Sequence, residues 1–406
     1  MPALTVFSVC GRMDCNLADK SSLINRLLNS SIAPIGIQVC VPGFPDSNNT
    51  MHDASYFQAL CSEIDYKSHN WSPRGSVRRL HWSGNIFSRL GKPDFTFVVH
   101  ALSKRFKFDN EANLVCSVDL YLEYLNQENL ALLRGLGFTS INLIINTSQV
   151  DASYLAESNN MFDAITAMDF QNVQVTINCN DSGDCDNIAR NIIDFAKRLS
   201  PNSLEIRAKP GEQNSIDRLP CSEAVFKYLV GNMQRIGYAP LPKVAHSFGF
   251  IKLTASFSKL QSKWDDWKPK RASAFLSLGC AGVSRIGNLF LTNTPDVDLY
   301  EEEGKQGIFK TDIEMIPDEV RYSEWLAAHF LEQGVISNEQ LGSVDSGALP
   351  RVKRICEEWA NRGVLTRATT GYNCNSDQIK QRETLARMII SAGYPSFGEH
   401  SYLLFT

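Results

Sequence analysis

Residues 114–145, LVCSVDLYLEYLNQENLALLRGLGFTSINLII, decide the architecture. The apolar run 114–118 reads as a strand, 126–136 as a helix, and 141–145 as the next strand. Gly137 closes the helix as a left-handed C-cap. Strand, helix and strand at this spacing make one β-α-β unit, because parallel neighbours need a helical crossover.

The same rhythm extends outward on both sides. Toward the N-terminus, 35–40 (IGIQVC) is a strand. A helix follows over 53–64, with Asp53 as its N-cap and Ala54, Phe57, Cys61 and Ile64 at helical spacing. Residues 77–82 (VRRLHW) form the next strand. Pro93 then opens a helix whose apolar stripe is Phe95, Val98, Val99 and Leu102. Toward the C-terminus, strands at 173–179 and 204–207 alternate with helices at 161–169, 186–199 and 222–236, the last stopped by Gly237. That makes about six units, short of a closed eight-unit barrel. The expected fold class is α/β, an open, partial β/α barrel.

After residue 245 the rhythm changes. Residues 247–273 are mixed and aromatic, with Trp264 and Trp267 beside lysines, and 276–285 are glycine-rich and apolar. Residues 311–406 read as mainly helical. Within them 351–359, a turn at 361–363, 364–368 and 378–390 suggest helix, wing, helix, a small winged-helix-like region. No basic recognition helix accompanies it, so a structural cap is favoured over DNA binding. The expected domains are an N-terminal extension (1–30), the barrel (31–245), a barrel-completing and connecting segment (246–310), and the C-terminal helical region (311–406).

Composition narrows the class. The chain has 406 residues, 43% hydrophobic and 21% charged, with net charge −4. It lacks the global basic field that draws nucleic acid. The short basic runs at 104–107 (KRFK) and 268–271 (KPKR) read as solvated surface. No apolar run reaches the ~18–20 residues of a membrane helix, so no membrane insertion is expected. The apolar N-terminal stretch follows no positive region, which argues against a signal peptide and for a cytoplasmic protein. The 11 cysteines are scattered and odd in number, as free thiols in a reducing compartment would be. Cys10 with Cys15, and Cys179 with Cys185, are the nearest pairs, but neither spacing suits a metal site, and none is expected. Cys179 and Cys185 do flank the end of a strand, where α/β proteins bind ligands.

Three blocks occur in order: 80–85 (LHWSGN), 137–143 (GFTSINL) and 279–288 (GCAGVSRIGN). They resemble the L-H-W-G-G-G-T-P, G-F-x-R-x-S-x-G-V-Q and G-x-G-A-x-S-R-x-G-N motifs of the oxygen-independent coproporphyrinogen III oxidases, a branch of the radical SAM enzymes. The resemblance runs over residues 35–390. It implies a 4Fe–4S cluster held by a C-x3-C-x2-C triad, and S-adenosylmethionine chelated to it. The departures fall at that chemistry. Counted from Cys40, the second and third ligand positions hold Phe44 and Ser47. Phenylalanine cannot ligate iron, and a serine hydroxyl is a poor substitute for a soft thiolate. Two glycines of the cosubstrate loop have become bulkier in Ser83-Gly84-Asn85-Ile86-Phe87. Ser117 stands where a carboxylate belongs, and Asn146 where a glutamine belongs. Residues 178–183 (NCNDSG) replace the segment carrying aspartate, tyrosine, glycine and proline.

The resemblance therefore implies a catalytically degenerate homologue. Its cluster and cosubstrate site would be lost, and no catalytic residue is assigned. It would bind a tetrapyrrole, haem or porphyrin, or a protein partner such as an active paralogue. The alternatives are an active tetrapyrrole-modifying oxidoreductase with an atypical cluster, and a scaffold subunit of an active paralogue.

The ligand-binding candidates follow. His81 would be a ligand or acid, or else a histidine orienting the loop, and Trp82 is beside it. Gly84 and Asn85 lie in the former cosubstrate loop, and Asn146 ends a strand. Arg207 and Arg285 would fork propionates, although Arg285 equally suits a structural clamp. Ser284 and Asn288 are contacts or turn formers. His246 would be either a haem ligand, by analogy with a haem-chaperone relative whose H-N-x-x-Y-W segment this chain lacks, or a satisfied surface or core histidine. Phe44 and Phe87 are expected to plug the former cluster and cosubstrate cavity.

Overall fold

The structure is a computed structural model. It describes residues 35–43, 54–71, 75–110, 114–147, 159–179, 182–208, 221–244, 247–252, 274–286, 289–315, 322–323, 325–327, 329–330, 334–342, 348–374, 385–386 and 388–389.

The chain opens with β1 (Ile35–Val41), α1 (Ala54–Asn70), β2 (Val77–Gly84), α2 (Ile86–Arg89) and α3 (Lys92–Arg105). Next come β3 (Val115–Tyr121), α4 (Gln127–Gly135), β4 (Ser140–Asn146), α5 (Asn159–Ala167), β5 (Asn172–Cys179), α6 (Ser182–Leu199), β6 (Ser203–Ala208) and α7 (Glu223–Arg235). Strands β7 (Tyr238–Val244), β8 (Ser247–Lys252), β9 (Phe275–Leu278), β10 (Val283–Ile286) and β11 (Leu289–Asn293) follow, then α8 (Val297–Gln306) and β12 (Thr311–Met315). The last elements are β13 (Val335–Ser337), α9 (Asn338–Gly342), α10 (Leu349–Asn361), β14 (Leu365–Ala368) and β15 (Gly371–Cys374).

Two compact units result, residues 1–115 with 269–321, and 116–268 with 322–406. In the first, the strand order is β12-β11-β10-β9-β1-β2. Strand β1 runs parallel to both β2 and β9, and β9 to β12 fold back as an antiparallel meander. In the second, β3-β4-β5-β6 are parallel, and the antiparallel pair β8-β7 closes the edge. The α/β class read from the sequence holds. The last two strands next to β6 are a hairpin rather than another parallel unit.

Local chemistry explains the ends. The Asn126 side chain accepts from Asn129 N at 2.8 Å to start α4, and Gly137 has φ +85° behind it. Asp296 caps α8 through Leu299 N at 3.0 Å, and Gly307 ends it in the left-handed region.

The strands alternate. Ile37, Val39, Val41, Leu80, Trp82, Leu276 and Leu278 are buried in the first unit, against Tyr56, Leu60, Ile64, Phe95, Val98 and Leu102 of the helices. In the second unit Val118, Leu120, Leu143, Val175, Ile177 and Ile206 do the same. Each such side chain contributes about 1.5–3 kcal/mol by leaving water. A separate cluster joins Tyr322, Trp325, Phe330, Val352, Ile355, Trp359 and Leu385, with β13, β15 and β14 paired beside it. Short strands thus sit among the helices of the C-terminal part, because a helix and a hairpin share one apolar cluster there. The 378–390 helix reading lies largely outside the described residues.

The sequence reading misplaced the buried stripe of α1. Tyr56, Ala59, Leu60, Glu63, Ile64 and Lys67 are buried. Ala54 is exposed, and Phe57 and Cys61 are only half-buried. The helix is rotated because it packs sideways onto α8, where a polar network awaits Glu63 and Lys67. Among the described residues, no helix is long and apolar enough to cross a membrane.

Candidate functional site

In the first unit the C-terminal end of β1 is held from all sides. Tyr56 Oη donates to Cys40 O at 2.6 Å, and Arg89 Nε donates to Pro42 O at 2.9 Å. Gly84 has φ +91°, and a Cβ there would lie 2.0 Å from Val41 O. Gly279 has φ +89°, and its Cβ would lie 2.0 Å from Cys40 O. Only glycine permits both the close approach and the positive φ. The two glycines therefore serve the backbone of β1.

Beside them, one face of the strands carries polar groups. Gln38 Nε2 donates to Ser83 Oγ at 2.9 Å, and Ser83 Oγ lies 3.4 Å from Cys40 Sγ. Ser277 Oγ lies 3.5 Å from Cys40 Sγ on the other side. The half-buried Cys40 thiol thus sits between two hydroxyls. His81 stands opposite Gln38 in register and is half-buried. Trp82 points the other way. It is fully buried against Phe95, with ring centroids 4.8 Å apart, and belongs to the core rather than to a pocket beside His81. Phe87 also packs on Phe95, at 5.6 Å. Phe44 and Ser47 lie outside the described residues.

Asn85 leads into α2 with its carbonyl accepting from Ser88 Oγ at 2.7 Å. Ser284 is fully buried, and its Oγ accepts from Ser277 N at 2.8 Å, so it clips β10 to β9. Arg285 lies over the Phe290 ring at 5.3 Å. Asn288 and His246 lie outside the described residues.

Beneath this end lies a network that the sequence reading missed. Glu63 Oε1 meets Lys67 Nζ at 2.7 Å and Asn293 Nδ2 at 2.9 Å. Its Oε2 accepts from Gly279 N at 2.6 Å and Tyr300 Oη at 2.7 Å. Lys67 also donates to Ser277 O at 2.9 Å and Asn293 Oδ1 at 2.8 Å. Both charged side chains are fully buried. Burial, then the Glu63 charge, holds the Tyr300 phenol far above its ordinary pKa, so it remains a donor. The available signal was spacing: positions 56, 59, 60, 63 and 67 continue one helical face through two charged residues.

In the second unit the polar faces of β3 to β6 carry a ladder. Asn142 Nδ2 donates to Asp119 Oδ1 at 2.8 Å, and Thr176 Oγ1 donates to Asn142 Oδ1 at 3.0 Å. Arg207 pairs with Glu205 at 2.7 Å, and their side chains are 28% and 31% exposed. Burial opposes the Arg207 charge, but Glu205, then Asp119 and Tyr121, outweigh it and raise its pKa. Burial, then Asp119 and Glu123, pushes the Tyr121 phenol up. Asn146 ends β4 opposite Asn178, half-buried. Asn146 and Arg207 thus belong to one polar face, while Asp119, Asn142 and Thr176 were not anticipated. Cys179 is fully buried, and the Cys185 side chain lies outside the described residues. Among the described residues, no three His, Cys, Asp or Glu side chains gather as a metal site.

These features define an α/β protein whose strands carry polar side chains on one face. The sequence matches no protein-family model and no curated protein. Solved structures do match. The coproporphyrinogen III oxidase HemN of Escherichia coli, a radical SAM enzyme, aligns with TM-score 0.68 at 13% identity, covering 95% of each chain. TYW1 with a lysine-pyruvate adduct bound aligns at TM-score 0.31 and 8% identity, over 49% of this chain and 66% of that one. HydG, a maturase of the FeFe-hydrogenase, aligns at 0.29 and 12%, over 53% and 54%. The chain has a HemN-like radical SAM fold.

Proposed function

We propose that this chain is a catalytically degenerate relative of the oxygen-independent coproporphyrinogen III oxidases that binds a tetrapyrrole without radical chemistry. The observation that carries the proposal is the setting of Cys40. Among the described residues, the groups beside its sulfur are hydroxyls rather than the further thiolates a 4Fe–4S cluster needs. Cys40 is the lone cysteine between residues 16 and 60, and its Sγ faces the hydroxyls of Ser83 and Ser277. Burial pushes the Cys61 and Cys280 thiols up to about 11, so both are protonated in the metal-free protein. Cys280 Sγ is also engaged with Pro295 O at 3.1 Å.

The second unit supplies chemistry suited to a tetrapyrrole. Arg207 can meet a propionate, and Asp119 can accept from a pyrrole N–H. Both stand on one sheet face with Tyr121, whose ring offers an aromatic wall.

Anaerobic reconstitution with iron and sulfide, followed by metal and labile-sulfide analysis, tests the first half. Titration with coproporphyrin III, read by quenching of tryptophan fluorescence, tests the second. No bound cluster with saturable micromolar porphyrin binding is expected. A stoichiometric cluster would return the chain to the radical SAM enzymes. Absence of porphyrin binding would leave a scaffold role.

A further inference from the structure

The outer layer of the first unit carries a charge pattern that the site does not use. Helix α1 has two flanks. Phe57, Cys61 and Asp65 face α3: Phe57 meets Phe97 edge-on at 5.6 Å, and Asp65 pairs with Arg105 at 2.8 Å. Tyr56, Ala59 and Glu63 face α8: Tyr56 meets Tyr300 at 5.4 Å, and a Cβ on Gly304 would lie 2.4 Å from Ala59 Cα. The two sets lie on opposite sides of the helical wheel, so α1 lies between α3 and α8. Over its first turns its outward ridge is Ser55, Gln58 and Ser62, all uncharged, with exposed Asp65 and His69 following at its C-terminal end.

The flanking helices present charges of opposite net sign. Outward on α3 and just beyond it are Lys92, Phe97, His100, Lys104 and Lys107, all exposed. Outward on α8 are Asp298, Leu299, Glu302 and Lys305, the last paired with Glu302 at 3.6 Å, so the strip is acidic only in net charge. Each strip holds an apolar residue: Phe97 is 58% exposed, Leu299 is 59%, and Ile308 just past α8 is 52%. These are three of the six exposed large hydrophobics among the described residues, so they are concentrated on this layer rather than scattered.

We propose that this face docks a second copy of this chain, with a two-fold axis over α1. A two-fold contact requires a self-complementary patch. Rotation about α1 lays the cationic strip of α3 on the partner's acidic α8, twice. Phe97 and Leu299 then leave water together, and the uncharged first turns of the α1 ridge lie between the two charged strips. A cationic or an anionic foreign surface would match only half of the pattern.

Sedimentation velocity of the full chain over a concentration series, at low and high salt, tests this. A dimer that weakens with salt is expected. Lys104→Glu and Glu302→Lys should each weaken it at least about tenfold, by setting like charges opposite. Mixed in equal amounts, the two variants should associate, because each then meets an opposite charge at both contacts. Both positions are exposed, so the fold is spared; circular dichroism of each variant verifies it. A wild type that stays monomeric throughout, or variants that fail to associate on mixing, would overturn the proposal.

Discussion

The Glu63–Lys67 network of the first unit and the Asp119–Asn142–Thr176 ladder of the second both join strands through polar side chains. They differ in their access to water. The first is sealed: every proton of the Lys67 ammonium and both Glu63 oxygens have partners inside the protein. The second lies beside an Arg207–Glu205 pair that keeps about a third of each side chain exposed. A network with all its capacity used specifies a fold, since any rearrangement strands a buried charge. A partly solvated one keeps donors and acceptors for a ligand.

Removal of one buried partner is the strongest way to break this contrast. Lys67→Met should destabilise the protein by about 3–5 kcal/mol, because Glu63 stays buried without its counter-charge. Urea unfolding measures it. The double variant Glu63→Leu, Lys67→Met should recover most of the loss. A small effect of the single variant would mean that water reaches the network.

Tyr300→Phe keeps the ring and removes one donor to Glu63. About 1.5–3 kcal/mol should be lost, the range for a bond to a charged group. Porphyrin binding in the second unit should be unchanged.

Arg207→Gln reverses the pattern. Its half-buried ion pair should cost about 1 kcal/mol of stability, far less than the sealed network, yet porphyrin affinity should fall severalfold. A large drop in the unfolding midpoint would make the second network structural as well.

The smallest effect concerns the half-exposed pair of Glu357 and Arg367. Tyr372, then Arg367, holds the Glu357 carboxyl below the usual carboxylate range. A depressed folded-state pKa gives stability that is present above about pH 4.3, the ordinary glutamate value. It is lost as pH falls through the lower folded value. Tyr372→Phe should flatten this acid limb slightly in pH-dependent thermal unfolding.

Much of the fold was legible in short stretches. Strands and helices from 35 to 236 follow local periodicity, and Gly137 and Gly237 mark helix ends with positive φ. The three blocks at 80–85, 137–143 and 279–288 pointed to the radical SAM fold that the alignment with HemN supports. The site was less legible. Trp82 and His81 are adjacent in sequence, yet a strand sends them to opposite faces, and Trp82 enters the core. Gly84 looked like a ligand-approach glycine, but the atom it spares is Val41 O.

By itself, then, the sequence determined the elements, their class and the missing cysteines after Cys40, because each depends on residues within one or two turns or pleats. The tertiary structure alone decided that β9 lies beside β1 and that Glu63 accepts from Gly279, 216 positions away. A charged pair at positions 63 and 67 is a surface pattern in any isolated helix. It becomes a buried lock only when a distant loop brings a backbone N–H, an amide and a phenol to replace water.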